Sequence, residues 1–453
     1  MDFSVFVSAS AIIAALLTGL ALPIAVVLTY SRFGVGISIV VLAFIIDTIT
    51  MGDIALDLGL KLYYPDIFLL ILATAALIRY IVPNDRPAAS VLWFIFCAIF
   101  LFSTLTGLMS FGSSAGVDAR PYFYLAAVGL YGMGFKIETE QLDILFKGMY
   151  LITIFLIGLT FYRWAVYFIP VSSLLPPGGT YNVDGAIRVI YSHHVLLIAQ
   201  VGLLVVFYSG LSKVFSVSSL LSPLLVGMVL VLQHRSVWLA AIVGTFFHFI
   251  LGRDKLQSSQ RKGTLIYVLI ALLIAGASTQ FSDSLQGISK QVKSGATTAL
   301  AADGSVGERL ESWQELIRIW INAGPRSVLV GQSFGADNTR YVTNERGESI
   351  KIDYTAHNFY VQTLFNMGLV GLLTYIFIVI YALSGLKTIR ENLSNKSLAE
   401  AMIVIIVTQL VYYIPYGADY FQGLILGVIV AFVNKNKPST ASKYKNSISP
   451  LPG

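Results

Sequence analysis

Charged side chains are scarce in this chain. Only 12% of its 453 residues are Asp, Glu, Lys or Arg, while 56% are hydrophobic and the mean hydropathy is +0.76. Soluble domains carry about 25% charged residues. A deficit of that size, with apolar runs of twenty residues and more, excludes an ordinary soluble enzyme and implies a chain that crosses a membrane many times. Cysteine is almost absent. The single Cys97 lies inside the apolar run VLWFIFCAIF, which excludes an intramolecular disulfide and a cysteine metal cluster. Histidine numbers five, and the scattered acids form no Asp-x-Asp pair, so a metal-dependent reaction is disfavoured and no cofactor is expected. The first residues, MDFSVFVSAS, have no basic stretch ahead of the apolar run and read as a retained anchor. There is no internal repeat and no heptad pattern.

Apolar segments near 5–29, 32–48, 65–82, 88–109, 120–134, 141–165, 188–209, 215–233, 236–251, 263–279, 357–385, 397–414 and 418–434 are each long enough to cross a hydrocarbon core. The expected fold is therefore all-α, a polytopic membrane helical bundle of about 12–14 spans. Its net charge of +6 is an orientation signal, since basic residues gather in short cytoplasmic loops, and no nucleic-acid partner is implied. GRDKLQSSQRKG (252–263), LKTIRENLSNK (386–396) and NKNKPSTASKYKN (434–446) carry the concentrated Lys and Arg and belong on the cytoplasmic side. Counting helices from them puts 170–186, the segment from about 280 to 356 and the N-terminus on the other side. The expected organisation is an N-terminal transmembrane bundle (1–279), a periplasmic loop domain (280–356), C-terminal transmembrane helices (357–434) and a disordered cytoplasmic tail (435–453).

Within the long loop, SVGERLESWQELIRIW opens with Ser305-x-x-Glu308, a capping-box pattern, and Leu310, Trp313, Leu316 and Trp320 recur at helical spacing. This predicts an amphipathic helix lying on the membrane–water boundary. AGPRSVLVGQSFG then reads as a turn, with Gly324-Pro325 ending the helix.

Four basic groups fall on the expected outer face: Arg188 and Arg235, each opening an apolar helix, Arg309 on the amphipathic helix, and His357, which opens HNFYVQTLFNMGLVGLL. Each has a plain reading. Arg188 and Arg235 could be snorkelling anchors, Arg309 a polar-face residue, and His357 a helix-start residue with a satisfied ring. The tandem His193-His194 reads as packing and His234 and His248 as structural, while Asp47 and Arg163 receive no role. Together, though, fixed guanidinium groups in one aqueous pocket suit a pyrophosphate, whose oxygens match arginine's fork. An imidazole beside them can accept a proton from an alcohol near neutral pH.

QHRSVWLAAIVG, ERLESWQELIRIW…VLVGQSFG and HNFYVQTLFNMGLVGLL resemble, in order and separation, the blocks of the bacterial O-antigen ligase and polymerase family, over about residues 230–385. The resemblance implies a GT-C-like glycosyltransferase of the inner (cytoplasmic) membrane that works on the periplasmic side. Its donor would be an undecaprenyl-pyrophosphate-linked oligosaccharide, and its acceptor a saccharide hydroxyl on a lipid-linked repeat or a lipid A core. Membrane lipids would surround it, and a chain-length regulator could be a further partner. Carried over, His357 would be the base or acceptor-orienting residue, Arg235 and Arg188 would hold the pyrophosphate, and Arg309 would help bind donor or acceptor. The rival readings are a transporter or flippase of lipid-linked saccharides, and a protein O-glycan ligase.

Overall fold

Hydrocarbon offers no hydrogen-bond partner to a backbone, so apolar runs that enter it become helices. The computed structural model describes residues 21–50, 55–57, 61–81, 89–169, 181–183, 186–211, 213, 216, 221–232, 234–251, 305–343, 347–391 and 395–436. The expected span at 263–279, residues 5–20 of the first span, the basic stretch 252–263 and the tail from 437 lie outside them, as does most of 170–186.

The architecture is an all-α polytopic bundle. Its helices are α1 (Ala21–Ser31), α2 (Phe33–Thr50), α3 (Tyr64–Ile81), α4 (Ala89–Phe111), α5 (Ser113–Met133), α6 (Thr139–Phe168), α7 (Ser192–Phe207), α8 (Ser222–Val231) and α9 (Arg235–Leu251). After the long loop's α10 (Ser305–Asn322) and α11 (Pro325–Val330) come α12 (Phe359–Arg390), α13 (Lys396–Tyr412) and α14 (Tyr420–Asn436). Five of the described helices, α2, α3, α4, α6 and α12, are long and apolar enough to cross a membrane. The described residues also form three antiparallel hairpins: β1 (Ala55–Asp57) with β2 (Lys61–Tyr63), β3 (Tyr181–Val183) with β4 (Ala186–Arg188), and β5 (Arg340–Thr343) with β6 (Ser349–Ile352). Leu105, Ile242 and Phe377 remain exposed, as on a surface made for lipid.

Close packing in a bilayer relies on small residues and buried polar pairs, because lipid supplies little hydrophobic drive between helices. α5 and α14 meet through glycine: a Cβ at Gly427 would stand 2.2 Å from the Gly129 carbonyl oxygen. Beside this crossing the buried amides of Gln200 (α7) and Gln422 (α14) exchange hydrogen bonds at 3.0 Å, and Gln200 also donates to Thr408 Oγ1 of α13 at 3.1 Å.

The bundle has two distinct ends. At one, Arg163 near the end of α6 donates to the carbonyls of Thr48 and Val189 at 2.8 Å, and Ser192 at the start of α7 bonds the Tyr412 hydroxyl at the end of α13 at 2.7 Å. The long loop docks at this same end, where Gly335 N–H donates to Asp118 of α5 at 3.2 Å and Ser333 meets Thr106 of α4 at 2.7 Å. At the opposite end, Arg79 holds the Tyr30 and Gly134 carbonyls, Lys435 pairs with Glu138, and Arg390 bonds Glu400 at 2.9 Å and the Leu251 carbonyl.

Three local expectations change. Arg188 does not open α7; it ends β4, opposite Tyr181, and the helix starts at Ser192, because the polar residues before it pair as a hairpin instead. Residues 325–330 form the short helix α11 rather than a bare turn, since Pro325 sits at a first helical position, where its missing N–H is no loss. The apolar stripe of α10 does not lie flat on a membrane boundary. Leu316 and Trp320 are buried against Ala336, Ala356 and Phe365, leaving Leu310 exposed, because the start of α12 offers that stripe an apolar face of protein.

Gly427→Ala, which drives a methyl into the Gly129 backbone, should destabilise the protein by about 1–3 kcal/mol. Gly158→Ala, on an open stretch of α6, should not. Thermal unfolding of both variants in detergent checks this, and equal midpoints would contradict the glycine crossing.

Candidate functional site

The segment that enters α12 is polar on one side and apolar on the other, and its backbone is secured almost atom by atom. Asn358 caps the helix, its side-chain oxygen accepting from Val361 N–H at 3.0 Å. Phe359 N–H donates to the carbonyls of Tyr413 and Tyr416 at 3.0 and 2.9 Å, which ties the helix start to the α13–α14 connection. The Ala356 N–H donates to Gln362 at 2.9 Å, and its carbonyl accepts from Trp313 Nε1 of α10 at 2.7 Å. Arg340, only 3% exposed, donates to Ser312 Oγ at 2.6 Å and to the carbonyls of Asn338 and Tyr354 at 2.9 Å.

His357 sits inside this frame with φ 45°, left-handed for a residue with a side chain. That conformation costs on the order of 1–3 kcal/mol and persists when the surroundings over-determine it. The bonds on either side do so. Its ring lies 5.3 Å from that of Tyr354. Partial burial, then the Arg309 and Arg340 guanidinium groups, lower its pKa below the usual histidine value. The imidazole is therefore neutral at pH 7 and free to accept a proton.

The loop reaches this position by docking into a break in a membrane helix. Gly368 (φ 65°) interrupts α12, and Gly331 (φ 84°) follows α11; each has backbone of the other segment within about 2.5 Å of where a Cβ would stand. Gln332 N–H then donates to the Phe365 carbonyl at 2.8 Å, and Ser103 of α4 donates to Asn366 at 2.6 Å, so the freed carbonyls of the broken turn are used.

A second polar group lies at the same end, across the Tyr412–Tyr416 segment. Tyr412 bonds Ser192 and stacks on Tyr416 with ring centroids 4.8 Å apart. Next to Ser192 come His193 and His194, their rings 4.1 Å apart. His234 is within electrostatic reach of Arg188 and His193, and Arg235 follows it as the first residue of α9. The four predicted site residues thus fall into two groups at one end of the bundle: His357 with Arg309, and Arg188 with the Arg235 turn. Arg309 is exposed on α10, and Arg235 is half-buried.

Sequence reasoning missed Arg340, which looks like any polar loop residue in DNTRYVT and acts only through its fold. It also left Arg163 and Asp47 unassigned. Arg163 is a staple between α2 and the start of α7. Asp47, on α2, lies near Asp419, which precedes α14; burial, with Asp47 adding to it, pushes the Asp419 carboxyl up to about 7, against bonds from the Phe421 and Tyr420 N–H groups. Its signal was its place at the lip of a helix, the feature that singled out His357.

Residues 220–376 match the family model described as O-antigen ligase. The chain carries an O-antigen ligase family segment. That segment takes in Arg235, Arg309, Arg340 and His357, whereas Arg188 lies before it. The match supports a membrane glycosyltransferase of the O-antigen ligase and polymerase type in general. No curated protein matches the chain.

Removing the positive neighbour in Arg309→Gln should raise the His357 pKa, since a nearby like charge disfavours imidazolium. Histidine-selective NMR titration of wild type and variant reads this directly; an unchanged or lower midpoint would separate the two residues.

Proposed function

We propose that this protein transfers a glycan from undecaprenyl pyrophosphate to a sugar hydroxyl, on the periplasmic face of the inner membrane. One observation carries the reading: a neutral imidazole and several guanidinium groups gather at one end of the bundle, around the O-antigen ligase segment. The opposite end holds Arg79, Arg390 and Lys435, as a cytoplasmic end should.

In this mechanism the acceptor hydroxyl oxygen attacks the anomeric carbon as the carbon–oxygen bond to the pyrophosphate breaks. The bonding pair leaves with the pyrophosphate, and the hydroxyl proton passes to the ring of His357. Such a direct displacement inverts the anomeric carbon. Arg188 and Arg235 hold the pyrophosphate and offset the charge that builds on its leaving oxygen, a role pre-set guanidinium groups perform without a metal. Arg309, exposed beside His357, binds donor or acceptor. A depressed His357 pKa keeps the base unprotonated at neutral pH, so the rate should fall as pH drops through that pKa.

The acceptor decides between a polymerase and a ligase, and both share this chemistry. His357→Ala and Arg235→Ala should insert and fold normally yet lower glycan transfer on the order of 10²–10³-fold. The assay is release of undecaprenyl pyrophosphate by purified protein given a lipid-linked glycan and an acceptor. Wild-type release by both variants would reject these roles, and a wild type that relocates the donor intact would identify a transporter.

A further inference from the structure

Histidine is rare here, yet three of the five, His193, His194 and His234, lie together beside Arg163 and Arg188. His234 is only 5% exposed, and neither ring nitrogen has a hydrogen-bond partner among the described residues; the Ile190 backbone lies beside the ring without making a bond in good geometry. His194, 1% exposed, faces Thr48 Oγ1 through Nε2 at 3.2 Å and leaves Nδ1 without a partner. Buried polar atoms are nearly always bonded, so unmatched ones in a native fold mark either stored strain or the place of a missing ligand.

The surroundings select the ligand. Among the described residues no three His, Cys, Asp or Glu side chains are placed to hold a metal ion, and the adjacent guanidinium groups would repel one. An anion suits the same surroundings. The Arg188 charge reaches the His234 ring, and Arg235 is its chain neighbour. Phosphate oxygens accept from both imidazole N–H and guanidinium.

We propose that His234 is a direct ligand of the donor's diphosphate, bonding a phosphate oxygen between Arg188 and Arg235 and taking a proton from solvent as that anion enters. This rests on the donor assigned under the proposed function. Without a ligand, burial, then Arg188 from β4 and His193 from α7, hold the His234 pKa down to about 3, with Ile190 alone opposing them. On the far side His194 is held neutral by burial, His193 and Arg163 of α6, and so adds no charge that would oppose an anion. A bound diphosphate reverses the sign of that field and favours imidazolium. Binding linked to one proton weakens by up to about tenfold per pH unit over the window between the free and bound pKa values.

The test measures undecaprenyl diphosphate binding to the full chain in nanodiscs, for wild type, His234→Gln and His234→Asn, at pH 6 and pH 8. Gln and Asn keep a hydrogen-bond donor but cannot take the proton. Wild type should bind more tightly than either variant at pH 6, by about tenfold, and that advantage should shrink several-fold by pH 8. The diphosphate's own titration cancels in the ratio, and a merely structural histidine would give a ratio that does not change with pH. A constant ratio overturns the inference while leaving the donor assignment intact; failure of wild type to bind undecaprenyl diphosphate overturns both. Should neither variant fold, wild-type binding heats in two buffers of different ionisation enthalpy at pH 7 must show net uptake of about half a proton, and none, or net release, contradicts the proposal.

Discussion

The structure turns on one constraint: a polar loop must hand its backbone over to a membrane helix without leaving a donor or acceptor unmet. Residues 354–359 are where that happens. Trp313, Arg340, Gln362, Asn358 and the Tyr413–Tyr416 carbonyls meet the backbone groups there from four directions. So many fixed bonds leave His357 little choice of conformation, and the left-handed backbone at that residue is their consequence. An imidazole so held presents its ring at a set place, which is what the proposed proton transfer from a positioned hydroxyl requires.

The same need recurs deeper in the fold. The break of α12 at Gly368 would expose carbonyls to hydrocarbon, and the loop fills it, with Gly331 permitting the close approach and Gln332 and Ser103 completing the bonds. Loop and bundle are thereby one unit at this point, and α10 is buried against protein rather than laid on lipid. The Gln200–Gln422 pair and the Gly129–Gly427 crossing hold α7 and α14 in place behind the second polar group. Two clusters that share the Tyr412–Tyr416 segment thus rest on rigid elements.

Much of this was legible in the residues, because hydrophobic runs and their charged ends obey strong rules. Among the described residues most long spans, the helix along the apolar stripe of α10 and the helix opening at Arg235 stand where periodicity and composition put them. What the sequence could not show was pairing. Nothing in DGAIRVIYSHH says that Arg188 closes a hairpin, since three-residue strands carry almost no periodic signal. Arg340 and Trp313 act through partners 14 to 43 residues away, a relation that only the folded chain displays. His234 looked structural because a histidine ahead of an arginine is unremarkable in one dimension. Its unmatched ring nitrogens appear only in three.

The proposed mechanism divides the labour of a displacement between the two clusters: cations for the departing pyrophosphate on one side, an uncharged base for the incoming hydroxyl on the other. Their union at one end, facing away from the Arg79, Arg390 and Lys435 end, favours chemistry on one face over passage through the bundle. The most direct measurement is a structure determined with an undecaprenyl-pyrophosphate-linked saccharide bound. The account predicts the pyrophosphate between Arg188 and Arg235, with the first sugar directed toward His357. A donor headgroup bound at the opposite end, or one whose sugar points away from His357, would contradict it.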